Sequence, residues 1–345
     1  MNIVRTELQD SARKLFDPAS YVPDRQKSWD GIVEMGWPAL AIPEELGGLG
    51  EGKAALTTLY REIGRVLAPV PFLPVMLAAQ AICQSHTLAN RESWVERLIA
   101  GEVITCSLLD PIVDCHSNGK LSGTLDAVPD ADKASHVLVV TPDKRLCALV
   151  ALDRPSVTMT GRRMWDESRP LFDVVLNHTE VQPDLVLARD DDAARLAAEL
   201  QEHLLLATAA DSVGAAAATL DMTVEYLKTR RQFDRPLALF QALKHRCADL
   251  KALLDSADAL VEKYVAGDTG LPFDAVTGAG AVKSYAAWVF RAIAEEAIQL
   301  HGGIGLTSEH PCHLFLKRSF LNASLGGTID EWETVAGQQA LAANS

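Results

Sequence analysis

Three residues suited to ligand binding lie close together in TRRQFDRPLALFQALKHRCADL, residues 229–250. Arg230, Phe233 and Gln241 place a guanidinium, an aromatic ring and an amide at a predicted helix end, a loop and the next helix start. The alternative for this segment is structural, a helix–turn–helix with an aromatic plug and a capping amide. Taken alone, the segment leaves both interpretations open.

A second segment, IQLHGGIGLTSEHP at residues 298–311, combines an amide with glycines at a helix end. Gln299 precedes Gly302, Gly303 and Gly305. Glycine lets a backbone approach a ligand closely, and this arrangement suits a pyrophosphate or an adenine. A simple helix C-cap is the alternative.

A third segment, NASLGGTIDEWE at residues 322–333, contains the pair Gly326-Gly327 followed by Thr328. Locally it predicts a turn that leads into a helix start, and nothing in it demands chemistry. Three acids follow the threonine: Asp330, Glu331 and Glu333.

Other catalytic signatures are missing from the sequence. It has no P-loop, no G-x-G-x-x-G after a strand, no H-E-x-x-H and no G-x-S-x-G. Its histidines and cysteines show no metal-ligand spacing. The formal charge of −14 argues against a nucleic-acid partner, because phosphate binding needs clustered Lys and Arg.

The composition predicts a soluble globular protein, with 48% apolar and 23% charged residues. The opening stretch lacks a continuous hydrophobic segment, so neither a signal peptide nor a membrane span is expected. Six cysteines without C-x-x-C spacing indicate reduced thiols and a cytoplasmic protein.

Three regions differ in hydrophobic pattern and predict three domains. Residues 1–102 show helical spacing interrupted by loops. Residues 103–190 contain short β-rich runs separated by turns, which predicts an antiparallel β-domain. Residues 191–345 are helical and rich in alanine, with the stripe of a bundle helix on 241–265.

In their order and spacing, the first two motifs resemble the C-terminal domain of acyl-CoA dehydrogenases. MGWPALAIPEELGGLG at 35–50 and LYREIGRVLAPVPFLP at 59–74 look like the N-terminal helical domain of that family. The resemblance implies a mainly α fold with a middle β-domain. It implies an N-terminal helical domain, a β-barrel-like domain and a C-terminal four-helix bundle, assembled as a dimer or a dimer of dimers.

The resemblance also implies FAD as the cofactor, bound at a subunit interface. Arg230, Phe233 and Gln241 match the residues that reach the FAD of the neighbouring subunit, with Arg230 on the pyrophosphate. A further set matches the segments that contact the other parts of the flavin: Gln299, Gly302, Gly303 and Thr328.

The catalytic acid of the family is missing. That family removes an α-proton of an acyl-CoA with a glutamate at one of two places, which correspond here to Gly326 and Leu204. Neither residue can take a proton, and loss of a positioned base costs roughly 10²–10⁴ in rate. Asp211, two turns beyond Leu204 on the same helix face, is the weak alternative. Glu202 and His203 adjoin Leu204 but point elsewhere on the helix.

The flavin pocket of this chain also departs from the family pattern. Leu109-Asp110-Pro111 stands where the family has Thr-Glu-Pro, and Ala127-Val128-Pro129 replaces a Trp-x-Thr element. The hydroxyl, the ring and the donor that would pack on or hydrogen-bond the flavin are therefore lost.

Together these departures favour the base-less subunit of a heteromeric α2β2 acyl-CoA dehydrogenase, similar to those that shorten bulky acyl-CoA side chains, including steroid ones. Two alternatives are a self-sufficient homo-oligomeric dehydrogenase with a relocated base, at Asp211 or Glu202, and a flavin-free scaffold. The expected partners are an acyl-CoA substrate and a homologous subunit, with no nucleic acid and no membrane.

Overall fold

A computed structural model describes residues 3–17, 19–108, 112–116 and 119–343 of the chain. Within these residues the α-helices are α1 (Ile3–Leu15), α2 (Arg25–Glu34), α3 (Lys53–Arg65), α4 (Phe72–Gln84), α5 (Arg91–Ile99), α6 (Asp190–Thr229), α7 (Gln241–Val265), α8 (Ala275–His301), α9 (Cys312–Ser324) and α10 (Ile329–Ala343). The strands are β1 (Ile104–Cys106), β2 (Ile112–Cys115), β3 (Lys120–Pro129), β4 (His136–Val140), β5 (Leu146–Ala151), β6 (Val157–Gly161), β7 (Leu171–Glu180), β8 (Val186–Arg189), β9 (Arg231–Gln232) and β10 (Arg235–Pro236).

The chain divides into two compact units that are not contiguous in sequence. One unit contains residues 1–23, 57–68 and 205–345, and the other contains 24–56 and 69–204. The order of helices, strands and helices along the chain is the predicted one. The boundaries at 102 and 190 remain a prediction, because these compact units divide the chain at other positions.

Two four-stranded sheets form the β part of the second unit. Their strand orders are β1-β4-β5-β8 and β2-β3-β7-β6. Two of the predicted β-rich runs form a hairpin: β4 and β5 pair antiparallel, from His136 opposite Ala151 to Val140 opposite Cys147. Alternating apolar residues of these strands, such as Val137, build the buried core of this region.

One strand pair contradicts the prediction of a purely antiparallel domain. β1 runs parallel to β4, with Ile104 opposite His136 and Cys106 opposite Leu138. Parallel pairing requires a long crossover connection, and here the chain builds β2 and β3 of the other sheet between the two strands. This long excursion brings β4 back beside β1 in the same direction.

Helices of the first unit pack around α6, a helix of 40 residues. Its small residues allow a very close crossing with the 57–65 part of α3. A Cβ added at Gly64 would lie 2.3 Å from the carbonyl oxygen of Asp211, and one at Gly214 would lie 2.0 Å from that of Arg61. Backbone meets backbone at this crossing, and only glycine fits on both sides.

The predicted apolar stripe of α7 is confirmed. Leu250, Leu254, Ala257 and Val261 are buried in the core that α7 shares with α6, α8 and α9. In the described part of the chain, α6 alone is long and apolar enough to cross a membrane, but 89% of its most apolar window is buried within the fold. That burial is typical of a core helix.

Candidate active site and flavin-contact surface

Gly326 and Gly327 form the turn between α9 and α10, and both have a left-handed backbone, with φ of +66° and +103°. Glycine adopts this region without the steric cost of other residues. Gly327 has a second reason, because a Cβ there would lie 2.7 Å from Nε1 of Trp332. The local prediction of a turn before a helix is therefore confirmed at atomic detail.

Hydrogen bonds hold this turn on the α10 side. Trp332 donates from Nε1 to the carbonyl of Gly326 at 2.9 Å. Thr328 donates from its backbone N–H and its hydroxyl to Oε2 of Glu331, at 2.6 and 2.9 Å, and the N–H of Glu331 donates back to the hydroxyl at 3.3 Å. This is a capping box, so Asp330 and Glu331 lie in the first turn of α10 as predicted.

Lys283 of α8 holds the same turn from the buried side. Its side chain is fully buried, and Nζ donates to the carbonyls of Ala323 at 2.9 Å and Gly327 at 2.6 Å. Burial lowers the pKa of this ammonium to about 8, while the charge of Glu331 opposes the shift. No signal in the sequence distinguishes Lys283 from a surface lysine.

Leu204, the second position expected to carry an acid, is a buried apolar residue of α6. Its neighbour Glu202 forms an ion pair with Lys53. His203 donates from Nδ1 to Oε1 of Gln80 at 2.7 Å, and burial lowers the pKa of this imidazole to about 4. The described contacts of Glu202 and His203 therefore do not favour either residue as a substitute for an acid at position 204.

Asp211, the weak alternative for a base, is buried in an ion pair. Arg318, which is fully buried, donates from Nη1 to Oδ1 of Asp211 at 3.2 Å. Asn322 donates to Oδ2 at 2.7 Å and to the hydroxyl of Ser212 at 3.0 Å. Such a carboxylate already accepts several hydrogen bonds, and this favours a structural role.

Arg230 directly precedes a tight β-hairpin that follows α6, and Phe233 lies in the turn of this hairpin. Strands β9 and β10 pair with Gln232 opposite Arg235, and Phe233 and Asp234 between them have φ of +51° and +58°. Two residues with positive φ make a type I′ turn, a conformation that is unfavourable for a bulky aromatic residue. Phe233 is also 84% exposed.

The structural alternative for this segment does not match the exposure and contacts of its residues. An aromatic plug would be buried, but Phe233 projects into solvent. A capping amide would bond the helix start, but the described contact of Gln241 is from Nε2 to Nε2 of His245, one turn along α7. Arg230 and Gln241 are both exposed. A guanidinium, a ring and an amide are therefore available to a ligand.

The glycine segment at the end of α8 forms the C-cap of this helix, and Gly302 and Gly303 in it are exposed. Gly302, with φ of +64°, caps the helix, and its N–H donates to the carbonyl of Gln299. Gly303 has no positive φ, and a Cβ there would meet nothing within 4 Å. Gln299 and both glycines are exposed. No internal contact requires glycine at 303, which fits close approach by a group from outside.

An aromatic stack brings the segments 229–241 and 298–303 to one end of the bundle. Tyr226, one turn before Arg230, stacks on His301 at 4.5 Å between ring centroids, and its hydroxyl donates to the carbonyl of His301 at 3.3 Å. His301 directly precedes Gly302. Sequence reasoning missed this contact, because the two residues lie 75 positions apart.

The segment Ala127-Val128-Pro129, which stands where the family has a Trp-x-Thr element, offers little to a ligand. Ala127 and Val128 are buried in β3, at a bulge where Ala127 has φ of +52°. They present neither an aromatic ring nor a side-chain donor. The other departure, Leu109-Asp110-Pro111, lies outside the described residues.

Comparisons with known proteins identify the family. The model of the acyl-CoA dehydrogenase N-terminal domain matches residues 1–102, and that of the C-terminal domain matches 196–336. Acyl-CoA dehydrogenase IpdE2 of Mycobacterium tuberculosis is 35% identical over 292 residues, covering 85% of this chain and 79% of the relative. IpdE2 of Mycolicibacterium smegmatis is 31% identical over 298 residues, covering 85% and 81%.

Solved structures agree with this assignment. The Mycobacterium tuberculosis ChsE4-ChsE5 complex contains a chain that matches with a TM-score of 0.85 and 24% identity, over 99% of this chain and 98% of that one. A variant of the Tcur3481-Tcur3483 steroid ACAD matches with a TM-score of 0.84 and 26% identity, over 99% of both chains. The family implies FAD as cofactor, and the exposed residues at 230–241 and 299–303 fit that group. By fold and by sequence, the chain belongs to the acyl-CoA dehydrogenase family.

Proposed function

We propose that this chain is a subunit of a heteromeric FAD-dependent acyl-CoA dehydrogenase, in an α2β2 or heterodimeric assembly. It lacks a catalytic base and completes the FAD site of a homologous partner. The complex desaturates the α,β bond of a CoA thioester. When bound, the flavin supplies the hydride acceptor for this reaction.

The observation that carries the proposal is a contrast between two regions of the chain. Both positions expected to hold an acid are apolar or glycine: Leu204 is buried, and Gly326 lies in a left-handed turn. The residues expected to contact a neighbour's flavin are instead exposed, and Phe233 keeps an unfavourable backbone conformation there. A subunit that serves its partner's site needs the second set and not the first.

Each exposed residue has a definable task in this proposal. The guanidinium of Arg230 binds the pyrophosphate, because its planar fork matches phosphate oxygens bidentately. Phe233 covers the flavin with its ring, and Gln241 offers an amide. Gly302 and Gly303 leave room for the other end of the cofactor.

A bulky, steroid-derived acyl group is the proposed substrate class. Support comes from the similarity to a steroid ACAD. We also place the complex in the cytoplasm. All six cysteines are free thiols, in agreement with a reducing compartment.

Two alternatives make different demands on the same residues. A self-sufficient enzyme would need a base at Asp211 or Glu202, yet both are ion-paired, to Arg318 and Lys53. A flavin-free scaffold would have no use for the exposed, strained Phe233. These contacts favour the heteromeric proposal.

The test is to express the chain alone and together with the open reading frame that encodes its homologous neighbour, and to measure FAD per chain by absorbance. We expect one flavin per two chains, and only on co-expression. Arg230→Ala should then lower flavin occupancy, whereas Lys228→Ala, at an exposed lysine paired with Glu225, should not. One flavin per chain in the isolated protein, with turnover, would refute the proposal.

A further inference from the structure

Lys283 satisfies backbone carbonyls that the fold would otherwise leave without a donor. Ala323 lies in the last turn of α9, where carbonyls have no partner within the helix. Gly327 lies three residues beyond the helix end, in the glycine turn. The buried ammonium donates to both oxygens, at 2.9 and 2.6 Å, and so ties the end of α9 to the turn.

The electrostatics of this position suit a cation. The C-terminus of a helix carries partial negative charge, which stabilises a nearby ammonium. Glu331 of α10 supplies the further negative charge that acts on Lys283. The same Glu331 accepts both hydrogen bonds from Thr328. Lys283, the turn and the cap of α10 thus form one connected network.

We propose that Lys283 is a positioning residue, which fixes the 325–328 turn and thereby the exposed candidate flavin-contact residue Thr328. The turn contains two glycines with left-handed backbones, and such residues lose the most conformational freedom on ordering. Trp332 and the capping box restrain its α10 side only. Lys283 restrains its α9 side, through a side chain that reaches from α8. The link to flavin rests on the proposed function; the restraint of the turn does not.

Amide hydrogen exchange tests the restraint directly, in the full chain. In Lys283→Met, a side chain of similar length without donors, the amides of 325–329 should exchange about tenfold faster or more, while those of 250–261 in α7 stay unchanged. Lys251→Met, at an exposed lysine paired with Asp255, is the matched control and should change neither set. Exchange at 325–329 within twofold of the wild type would overturn the proposal.

Flavin occupancy of the co-expressed complex provides the second readout. Lys283→Met should lower the flavin-to-chain ratio to less than half, and Lys283→Arg, which keeps a cation, should restore part of it. Unchanged occupancy in Lys283→Met would refute the link to Thr328. A wild-type complex without flavin would refute the proposed function instead, and exchange would still decide on Lys283.

The wild-type chain offers a check that needs no variant, for the case in which Lys283→Met does not fold. If the turn is fixed on both sides, its hydrogen-bonded amides, those of Leu325 and Thr328, should exchange as slowly as those in the last turn of α9. Exchange at the rate of an unstructured loop in the wild type would refute the restraint.

Discussion

Replacing Arg318 by methionine should destabilise the first unit strongly, because it removes the cation that accompanies a buried carboxylate. Arg318 is fully buried, and Asp211 is 4% exposed. Nη1 of Arg318 donates to Oδ1 of Asp211 at 3.2 Å, and Nδ2 of Asn322 donates to Oδ2 of the same carboxylate at 2.7 Å. Methionine keeps most of the apolar stem of arginine, so the change tests mainly the charge.

The size of the effect follows from this burial. Breaking a buried pair by removal of one partner costs roughly 3–5 kcal/mol, because the remaining charge stays in a poorly solvated place. Asp211→Asn should cost a similar amount, since it removes the negative charge that faces the buried guanidinium of Arg318. The double variant should lose less than the sum of the two, by about 1–3 kcal/mol of coupling.

Urea unfolding of the full chain, followed by circular dichroism, measures these free energies. The control is the exposed pair of Lys251 and Asp255 in α7. Lys251→Met should change the free energy of unfolding by only about 0.5 kcal/mol or less, because water and salt screen that pair. Lys251→Met and Arg318→Met both replace a cationic side chain by methionine, the first at an exposed position and the second at a buried one.

Activity of the same variants separates a structural acid from a catalytic one. If Asp211 is structural, Asp211→Asn lowers stability but leaves the turnover of the folded complex close to that of the wild type. A loss of about 10²–10⁴ in kcat at unchanged stability would make Asp211 a general base and refute our reasoning. Costs below about 1 kcal/mol for both single variants would refute the buried ion pair itself.

Three further predictions follow from the described geometry. Gly327→Ala should destabilise the chain by about 1–3 kcal/mol in urea unfolding, since φ is +103° and the new Cβ would lie 2.7 Å from Nε1 of Trp332. The control is Gly337→Ala, whose new Cβ would meet nothing within 4 Å and which should be neutral or stabilising. The folded state lowers the pKa of Lys283 from 10.5 to about 8, so between these pH values the unfolded chain binds more protons than the folded chain. The stability of the wild type relative to Lys283→Met should therefore rise with pH, by about 3 kcal/mol. A stability difference that does not change with pH would contradict this. Phe233→Asn should raise the free energy of unfolding by about 1 kcal/mol, because asparagine tolerates a φ of +51°. The same variant should lower the flavin occupancy of the complex. A lower free energy of unfolding would contradict the backbone strain inferred at Phe233.

Local patterns predicted much of the fold. The apolar stripe at helical spacing gave α7 its observed bounds, Gln241–Val265, and the turn residues between two β-rich runs gave the β4–β5 hairpin. The glycine after the last apolar residue of α8 marked its end at His301. These features depend on interactions between residues close in sequence, and therefore the sequence reports them directly.

Features that depend on distant residues could not be predicted in this way. The parallel pairing of β1 with β4 depends on where the chain returns after building two strands elsewhere. Lys283 is one lysine in an alanine-rich helix, and its carbonyl partners lie 40 and 44 residues further along the chain. The pairing of Asp211 with Arg318 spans 107 residues. Family resemblance located positions 204 and 326, but not the contacts that surround them.

The Gly326-Gly327 turn is more than an ordinary boundary between two helices. A capping box and a left-handed glycine are enough to end one helix and start the next, and both are present here. The buried ammonium of Lys283 is not needed for that purpose, and its lowered pKa means that the folded state holds the charge at a cost at neutral pH. An apolar residue would avoid this cost, but it would leave the carbonyls of Ala323 and Gly327 without the donor that Lys283 provides. A turn that is restrained from both sides fits the proposed task of its backbone and of Thr328 in holding the cofactor.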